Sequence, residues 1–308
     1  MPNLTLIGIM CIALLLILMA AGVPIGLTFI LSGMLSTYLI FGLGKALSLL
    51  MASSYASIAS PSWTAIPLFI LLGSLALQSD FANRAYKSID ALTSGLPGSV
   101  GITTCFGCAA FGAISGSSIA ATAVFGKLAL PEMRRLGYSK SFAGAIVASA
   151  GTFASMIPPS TMFVVYALFT NTSVAKLFFA GIVPGLITAV VYSIYIYFRA
   201  KNDQLMVALQ KQNQKRLDVK ERIIATFAAW PIALVALTML GGIYSGKFTP
   251  TEAAAIGCVM VLAIGFFQGK YKKISDLANA LRESANTTSM LFLINIGALY
   301  FGKVLVLT

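Results

Sequence analysis

The chain has 308 residues, 58% of them hydrophobic and 10% charged, with a net charge of +12 and a mean hydropathy of +0.90. Soluble domains are about a quarter charged and just under half apolar, so this composition excludes a water-soluble fold; no ~10-residue alternating strands suggest a membrane β-barrel, which leaves an all-α polytopic membrane protein with room for about eight or nine crossings. Histidine is absent, which excludes Ser-His and Cys-His nucleophile pairs and imidazole metal sites, and the positive charge flanks apolar segments as a topology signal rather than a nucleic-acid footprint.

Leu4–Ala20 reads as the first span; Met1-Pro2-Asn3-Leu4 has no basic n-region or cleavage site, so this run is a retained span rather than a signal peptide. Ala21–Pro24 is a tight turn, with Pro24 suited to the first turn of the next helix, and Ile25–Phe41 is the second span. Lys45–Ala59, rich in Ser and Ala, suits the membrane interface; Thr64–Gln78 is a short third span, and Asp80–Leu92 a surface helix carrying Arg84, Lys87 and Asp90. Residues 97–130 hold two short apolar arms, Ser99–Ile114 and Ile119–Leu130, around Ser115-Gly116-Ser117-Ser118, the pattern of a re-entrant hairpin with a buried polar tip. Pro131–Lys140 is charged and exposed. Residues 142–169, interrupted by Pro158-Pro159-Ser160, are too few for two crossings and form one broken helix. Leu177–Phe198 is an unbroken span in which Gly181 and Pro184-Gly185 serve packing and a kink.

Residues 199–222 form a solvated linker with seven basic and three acidic residues. Spans Ile223–Ile243 and Glu252–Phe267 follow, the latter opened by Pro250-Thr251-Glu252, whose threonine and acid cap the helix. Lys270–Ser284 is amphipathic and Met290–Leu307 is the last apolar run. Cys11, Cys105, Cys108 and Cys258 lie in apolar segments and read as packed thiols, the C-x-x-C at 105–108 included.

The basic linker belongs on the cytoplasmic side. Counting crossings from it puts 17 of the 21 basic residues inside, leaves Lys45, Lys176, Lys247 and Lys303 outside, and makes the N-terminus periplasmic. The second half looks like a restart. Pro24 to Lys45 matches Pro250 to Lys270, an amphipathic stretch follows each, and Leu68–Gly73 matches Leu291–Gly297. Residues 1–198, with scaffold spans in 4–78, precede the repeat by an odd number of crossings, so 223–308 is an inverted second copy. That copy matches only the first part of copy one, and a second hairpin and break would need roughly a further 110–120 residues.

Two breaks carry the chemistry. Non-helical backbone at membrane depth is tolerated only where it is buried in protein or lines a cavity. At the tip, Ser117 or Ser118 is an N-cap whose free N–H groups attract anions, while the carbonyls that end the first arm suit Na⁺. Gly116 allows the turn. Pro158 and Pro159 remove two donors and free carbonyls, with Gly151, Thr152, Ser160 and Thr161 at the edges. Together Ser115–Ser118, Gly151, Thr152 and Pro158–Thr161 form a paired ion and substrate site, with Na⁺ near Ser115, Ser118 and Pro158. The plainer alternatives are a Ser/Gly packing surface and a structural kink. Ala113-Ile114-Ser115-Gly116 is loosely similar to the G-x-S-G of intramembrane serine proteases, but the first glycine is replaced and the histidine is absent.

Phe111-Gly112-Ala113-Ile114-Ser115-Gly116-Ser117-Ser118-Ile119-Ala120-Ala121-Thr122, Pro131-Glu132-Met133, Gly137-Tyr138, Ile157–Ser160, Gly181–Gly185 and Gly241–Ala255 resemble the large membrane subunit of tripartite ATP-independent periplasmic (TRAP) transporters, lacking its C-terminal portion. The resemblance implies an elevator-type transporter in a bacterial inner membrane. It would import a small organic acid, such as a C4-dicarboxylate or a sialic acid, with Na⁺ as coupling ion and no organic cofactor. It also implies a small four-helix membrane subunit and a periplasmic substrate-binding protein as partners, with no nucleic acid and no enzymatic activity. The alternatives are a sodium/dicarboxylate symporter working without a binding protein, and a non-transporting membrane remnant.

Overall fold

The computed structural model describes residues 4–59, 61–213, 219–271 and 274–308. Met1-Pro2-Asn3, Lys215, Arg216 and Asp218 of the linker, and Lys272 and Lys273 lie outside them, as does the side chain of Lys211. The described residues form helices and no strands: α1 Leu4–Ala20, α2 Ile25–Phe41, α3 Leu43–Ile58, a 3-10 turn Pro61–Thr64, α4 Ala65–Gln78, α5 Phe81–Thr93, α6 Ser99–Ser115, α7 Ser118–Arg135, α8 Lys140–Ala154, α9 Thr161–Thr170, α10 Val174–Lys201, α11 Gln204–Asn213, α12 Val219–Phe227, α13 Trp230–Tyr244, α14 Pro250–Phe267 and α15 Ile274–Leu307. Helices α10, α14 and α15 are long and apolar enough to cross a membrane, and Lys220–Phe227 with Trp230–Tyr244 qualifies as one span bent by 45°. The chain divides into two compact units, Met1–Thr64 with Ala285–Thr308, and Ala65–Ser284.

The first unit is built inside out relative to a soluble protein. The buried face of α2 is Gly26, Thr28, Ser32, Gly33, Ser36 and Thr37, while Leu27, Leu31, Leu35 and Leu39 are exposed. The hydroxyls are satisfied within the helix: Ser32 Oγ donates to the Thr28 carbonyl at 2.7 Å and Thr37 Oγ1 to that of Gly33 at 2.7 Å. Small residues can then meet another helix closely, as in lipid, where packing rather than water drives association. A Cβ on Gly26 would come 2.8 Å from the Leu293 backbone, and one on Gly297 2.6 Å from the Gly26 carbonyl. Tyr300 sits at the centre, its hydroxyl donating to Thr37 Oγ1 at 3.1 Å, beside Cys11 and Val304.

In the second unit α6 is the hub. Fourteen of its 17 residues are buried, and it packs against α4, α5, α7, α8, α10 and α13. Helix α14 packs along α4. Their C-terminal ends are joined by the Lys270–Asp80 ion pair at 2.8 Å and by Tyr271 Oη, which donates to the Leu75 carbonyl at 3.1 Å. Burial alone would push the Asp80 carboxyl up, but hydrogen bonds from Lys270 and Asn83 and the charges of Lys270 and Arg84 hold it below its ordinary value.

Four expectations change here. The second hairpin arm does not stop at Leu130 but runs through Pro131 to Arg135; Pro131 is near enough to the end that the helix carries on past it for one turn. The cap of α14 is Thr249, not Thr251. With Pro250 at the first helical position, the residue before it takes the cap, and Thr249 and Glu252 close a capping box with N–H···O distances of 3.2 and 2.7 Å. Lys270–Ser284 and Met290–Leu307 belong partly to one continuous helix, α15, because nothing between them breaks the backbone pattern. The linker is not merely solvated. Its α11 sends Gln210 to the turn before α6, where Oε1 accepts from Gly98 N–H at 3.1 Å and Nε2 donates to Ser99 Oγ at 3.1 Å and to the Leu96 carbonyl. Leu205 and Leu209 of the same helix cover Gly137 in the turn after α7, so α11 fastens both feet of the hairpin. The four cysteines are free and buried, as expected of packed thiols.

Candidate functional site

The tip of the hairpin is two residues long. Helix α6 ends at Ser115, and Gly116 takes a left-handed conformation (φ 57°) while its N–H donates to the Gly112 carbonyl at 2.9 Å. Ser117 is extended (φ −122°, ψ 118°), and its Oγ accepts the Ala120 N–H at 3.3 Å, which caps α7. The broken helix is built alike. Helix α8 ends at Ala154; residues 155–160 contain the cis Pro158–Pro159 bond, and Ser160 caps α9 by accepting the Phe163 N–H at 3.5 Å. Each break therefore presents a helix C-terminus and a helix N-terminus with a serine cap.

The two breaks lie against each other. A Cβ on Gly116 would stand 2.7 Å from the Pro159 carbonyl oxygen, 3.1 Å from the Thr161 nitrogen and 3.2 Å from the Ser160 Cα. One on Gly112 would meet the Ala154 backbone, with the Ala154 Cα at 3.0 Å, and one on Gly151 would lie 3.1 Å from the Ser118 carbonyl and against Thr122. Two N-terminal and two C-terminal helix ends thus converge within backbone contact. The free N–H groups of the first pair favour an anion and the carbonyls of the second a cation.

Most of the sequence-derived residues meet here. Gly116 lies against Pro159, Ser160 and Thr161, Ser118 lies against Gly151, and the Ser115 carbonyl lies against Gly73 of α4. Pro158, Pro159 and Ser160 are buried. Ser117 acts as a cap, leaving its hydroxyl proton free. Ser118 and Thr152 line an open recess of about 380 Å³ with Ile119, Thr122 and Ala123. In that recess Thr122 Oγ1 donates to the Ser118 carbonyl at 2.8 Å and Thr152 Oγ1 to the Ala148 carbonyl at 3.0 Å. Ser115 Oγ is buried without a hydrogen-bond partner. A buried hydroxyl left unpaired costs about 1–3 kcal/mol, and a bound ion or ligand relieves that cost.

Three positioning residues escaped sequence reasoning. Gly73 on α4 is one: a Cβ there would stand 2.6 Å from the Ser115 carbonyl. Gly112 and Thr122 are the others, present in the 111–122 motif but not assigned there to the contact between the breaks. The available signal was a lone glycine within an apolar span, Leu72-Gly73-Ser74, which in membrane helices marks close approach. Gly181 and Gly185 of α10 underlie the break as packing residues, with Cβ positions 2.5 Å from the Met156 carbonyl and 2.8 Å from Ile157 Cγ1.

The sequence profile of the tripartite ATP-independent periplasmic transporter, DctM component, matches residues 12–308. The C4-dicarboxylate TRAP transporter large permease protein DctM of Pseudomonas aeruginosa is 38% identical over 78% of this chain and 55% of its own length. The ectoine TRAP transporter large permease protein TeaC of Halomonas elongata is 30% identical over 90% of the chain and 64% of its own length. The sialic acid TRAP transporter large permease protein SiaM of Vibrio cholerae is 28% identical over 92% and 65% respectively. The chain therefore spans between 55% and 65% of the length of these three relatives.

Proposed function

This chain belongs to the DctM component family of tripartite ATP-independent periplasmic transporters, and we propose that it contributes the first half of a sodium-coupled site through which a small organic acid enters the cell. The relatives' names cover a C4-dicarboxylate, ectoine and a sialic acid; the proposed substrate class here is a small carboxylate, delivered by a periplasmic binding protein to an assembly that includes a small membrane subunit. The observation that carries the reading is the backbone contact between Gly116 and Pro159–Thr161, which joins two helix breaks into one site. The carboxylate would take the N-terminal ends of α7 and α9, with Ser117 and Ser118. Na⁺ would take carbonyl oxygens at the end of α6 and at Pro158, with Ser115 Oγ as a further ligand. The division into units fits an elevator: the breaks lie in Ala65–Ser284, and α1–α3 in the other unit. The repeat proposal is supported by reciprocal packing, since α2 of the first copy meets the Leu293–Phe301 stretch of the second, and α14 of the second copy meets α4 of the first.

In an assembly reconstituted with an imposed sodium gradient, Ser115→Ala and Ser118→Ala each lower sodium-dependent uptake. Losing one hydrogen bond to a charged group costs about 1.5–3 kcal/mol, on the order of ten- to a hundred-fold in affinity. Ser115→Ala acts through the sodium dependence, so raising the sodium concentration rescues it more than it rescues Ser118→Ala. Uptake unchanged in both variants, with unchanged sodium dependence, removes the site.

The proposed orientation places the N-terminus in the periplasm and the linker in the cytoplasm, in a multi-pass inner-membrane protein. All four native cysteines are buried, so a cysteine introduced at the exposed Gln212 reports on a quiet background. An impermeant maleimide labels it only after the membrane is opened; labelling from the periplasmic side of intact cells reverses the assignment.

A further inference from the structure

The hairpin leaves and rejoins the rest of its unit through two turns, and the linker holds both. The first turn, Ser94-Gly95-Leu96-Pro97-Gly98-Ser99, joins α5 to α6. Gly95 (φ 96°) and Gly98 (φ 76°) are left-handed on either side of Leu96-Pro97. Glycine permits this shape but adds no stiffness to it. Within the turn, the Leu96 N–H donates to the Thr93 carbonyl and the Ser99 N–H to the Leu96 carbonyl, both at 3.0 Å. Apolar contact with Ile196 and Ala200 of α10 seats Gly98 but sets no direction. The directional contacts come from the linker. Gln210 of α11 accepts from the Gly98 N–H and donates to Ser99 Oγ and the Leu96 carbonyl. Arg222 Nη2 of α12 donates to the Ser94 carbonyl at 3.3 Å.

The second turn, Leu136-Gly137-Tyr138, follows α7. Gly137 (φ 83°) leaves room that α11 fills: a Cβ there would stand 3.0 Å from Leu209 Cδ1 and 3.4 Å from Leu205 Cγ. Helix α11 is itself fixed. Asp203 Oδ1 accepts the N–H groups of Leu205 and Met206 at 3.1 and 3.2 Å, and Met206 is buried. Consecutive residues, Leu209 and Gln210, therefore grip different feet of the hairpin, and α11 sets how the two arms stand relative to each other. Helix α6 carries that setting to the tip. Its 17 residues place Ser115 roughly 25 Å from the foot. Fourteen of them are buried, and a close-packed helix transmits a displacement rather than absorbing it. At the far end, Gly112 and Gly116 meet the broken helix with no room for a Cβ, so a small shift of the arm disturbs the contact.

We propose that Gln210 is a positioning residue for the hairpin tip, with Arg222 in support: the linker fixes the foot of α6, and through α6 it fixes where Ser115 and Gly116 meet the break. The consequence for ion binding rests on the reading of the tip as half of a transport site; the mechanical coupling of foot to tip does not. A binding constellation must be held to within about 0.5 Å to work, which is why a contact so far from the tip acts on it.

Amide hydrogen exchange of the purified chain in detergent tests the coupling, read on peptides covering the foot (94–104), the tip (112–122) and, as reference, α14 (254–266). Gln210→Ala removes several hydrogen bonds and raises exchange at the foot by about ten-fold or more. Exchange rises in step at the tip, where the Gly116 N–H is held by the Gly112 carbonyl and the Ala120 N–H by Ser117 Oγ, and stays unchanged in α14. Arg222→Leu does the same to a smaller degree, and Arg222→Lys, which keeps a donor for the Ser94 carbonyl, restores the unaltered pattern. Gln212→Ala, at an exposed position of the same helix, changes neither peptide. Exchange that rises at the foot but not at the tip overturns the proposal, as does no rise at the foot or an equal rise in all three peptides. In the proposed transport assembly, Gln210→Ala also needs more sodium for half-maximal uptake. An unchanged sodium requirement, where Ser115→Ala raises it, overturns the proposal. If Ser115→Ala and Ser118→Ala leave uptake unchanged, the site reading fails, and exchange at the tip still decides the role of Gln210.

Discussion

In the proposed transport assembly, Gly116→Ala abolishes uptake while leaving the chain folded. Two independent costs act at this position. The φ of 57° is left-handed, which costs a residue with a Cβ about 1–2 kcal/mol. The added methyl would also stand 2.7 Å from the Pro159 carbonyl oxygen and 3.2 Å from the Ser160 Cα. Those atoms are backbone and have no rotamer to change, so the tip and the break must part; overpacking of this kind costs about 1–3 kcal/mol. The sum is a large share of a domain's usual ~5–15 kcal/mol but does not exceed it. What is lost is the meeting of four helix ends on which the proposed site depends, and with it two or more charge-assisted contacts, on the order of a hundred-fold or more in affinity. Gly116→Asn separates the two costs. Asparagine tolerates the left-handed region but still carries a Cβ, so it fails nearly as badly as alanine. Sodium-driven uptake by detergent-stable Gly116→Asn at the unaltered rate would show that the contact with Pro159 is not needed.

What could be read in the sequence, and what could not, divides along one physical line. Composition, span lengths and the polar interruptions at 115–118 and 158–160 are local properties, and local rules interpret them. A serine before an apolar run caps a helix, and Ser117, Ser139, Ser160 and Ser173 do so, each through its Oγ. A proline pair ends a helix, and α8 stops four residues short of Pro158. The proximity of the two breaks follows from no local rule; only their shared chemistry suggests it. Its structural basis is the set of glycines Gly112, Gly116 and Gly151, whose missing side chains are visible in sequence only as small residues. The linker failed for the opposite reason. Seven basic residues among 24 suggest a solvated strand of chain, and this charge masks neutral side chains that make specific contacts, among them Gln210, which satisfies a donor and two acceptors at the foot of the hairpin. Gly73 failed because it is distant in sequence from what it touches; no local pattern connects it to Ser115.

Gly73→Ala therefore tests whether the site is held from outside the hairpin. Helix α4 carries no break, no charge and no residue that the sequence assigns to the site, yet a Cβ on Gly73 would stand 2.6 Å from the Ser115 carbonyl oxygen and 3.3 Å from its Cα. Glycine in a helix interior is disfavoured by about 0.5–1 kcal/mol relative to alanine, so propensity alone makes the substitution stabilising. The contact reverses the sign. To accept the methyl, the end of α6 must move away from α4, at about 1–3 kcal/mol, carrying the Ser115 carbonyl and its unpartnered hydroxyl out of position. Gly144→Ala in α8 is the control, because a Cβ there meets nothing within 4 Å. In detergent, Gly144→Ala melts at the same temperature or higher, and Gly73→Ala melts lower. In proteoliposomes holding the proposed transport assembly, Gly144→Ala leaves uptake unchanged, and Gly73→Ala needs more sodium for half-maximal uptake, since the disturbed group is the carbonyl proposed to hold the ion. If Gly73→Ala instead behaves like Gly144→Ala in both measurements, α4 does not position Ser115, and the sodium ligands must be sought away from the end of α6.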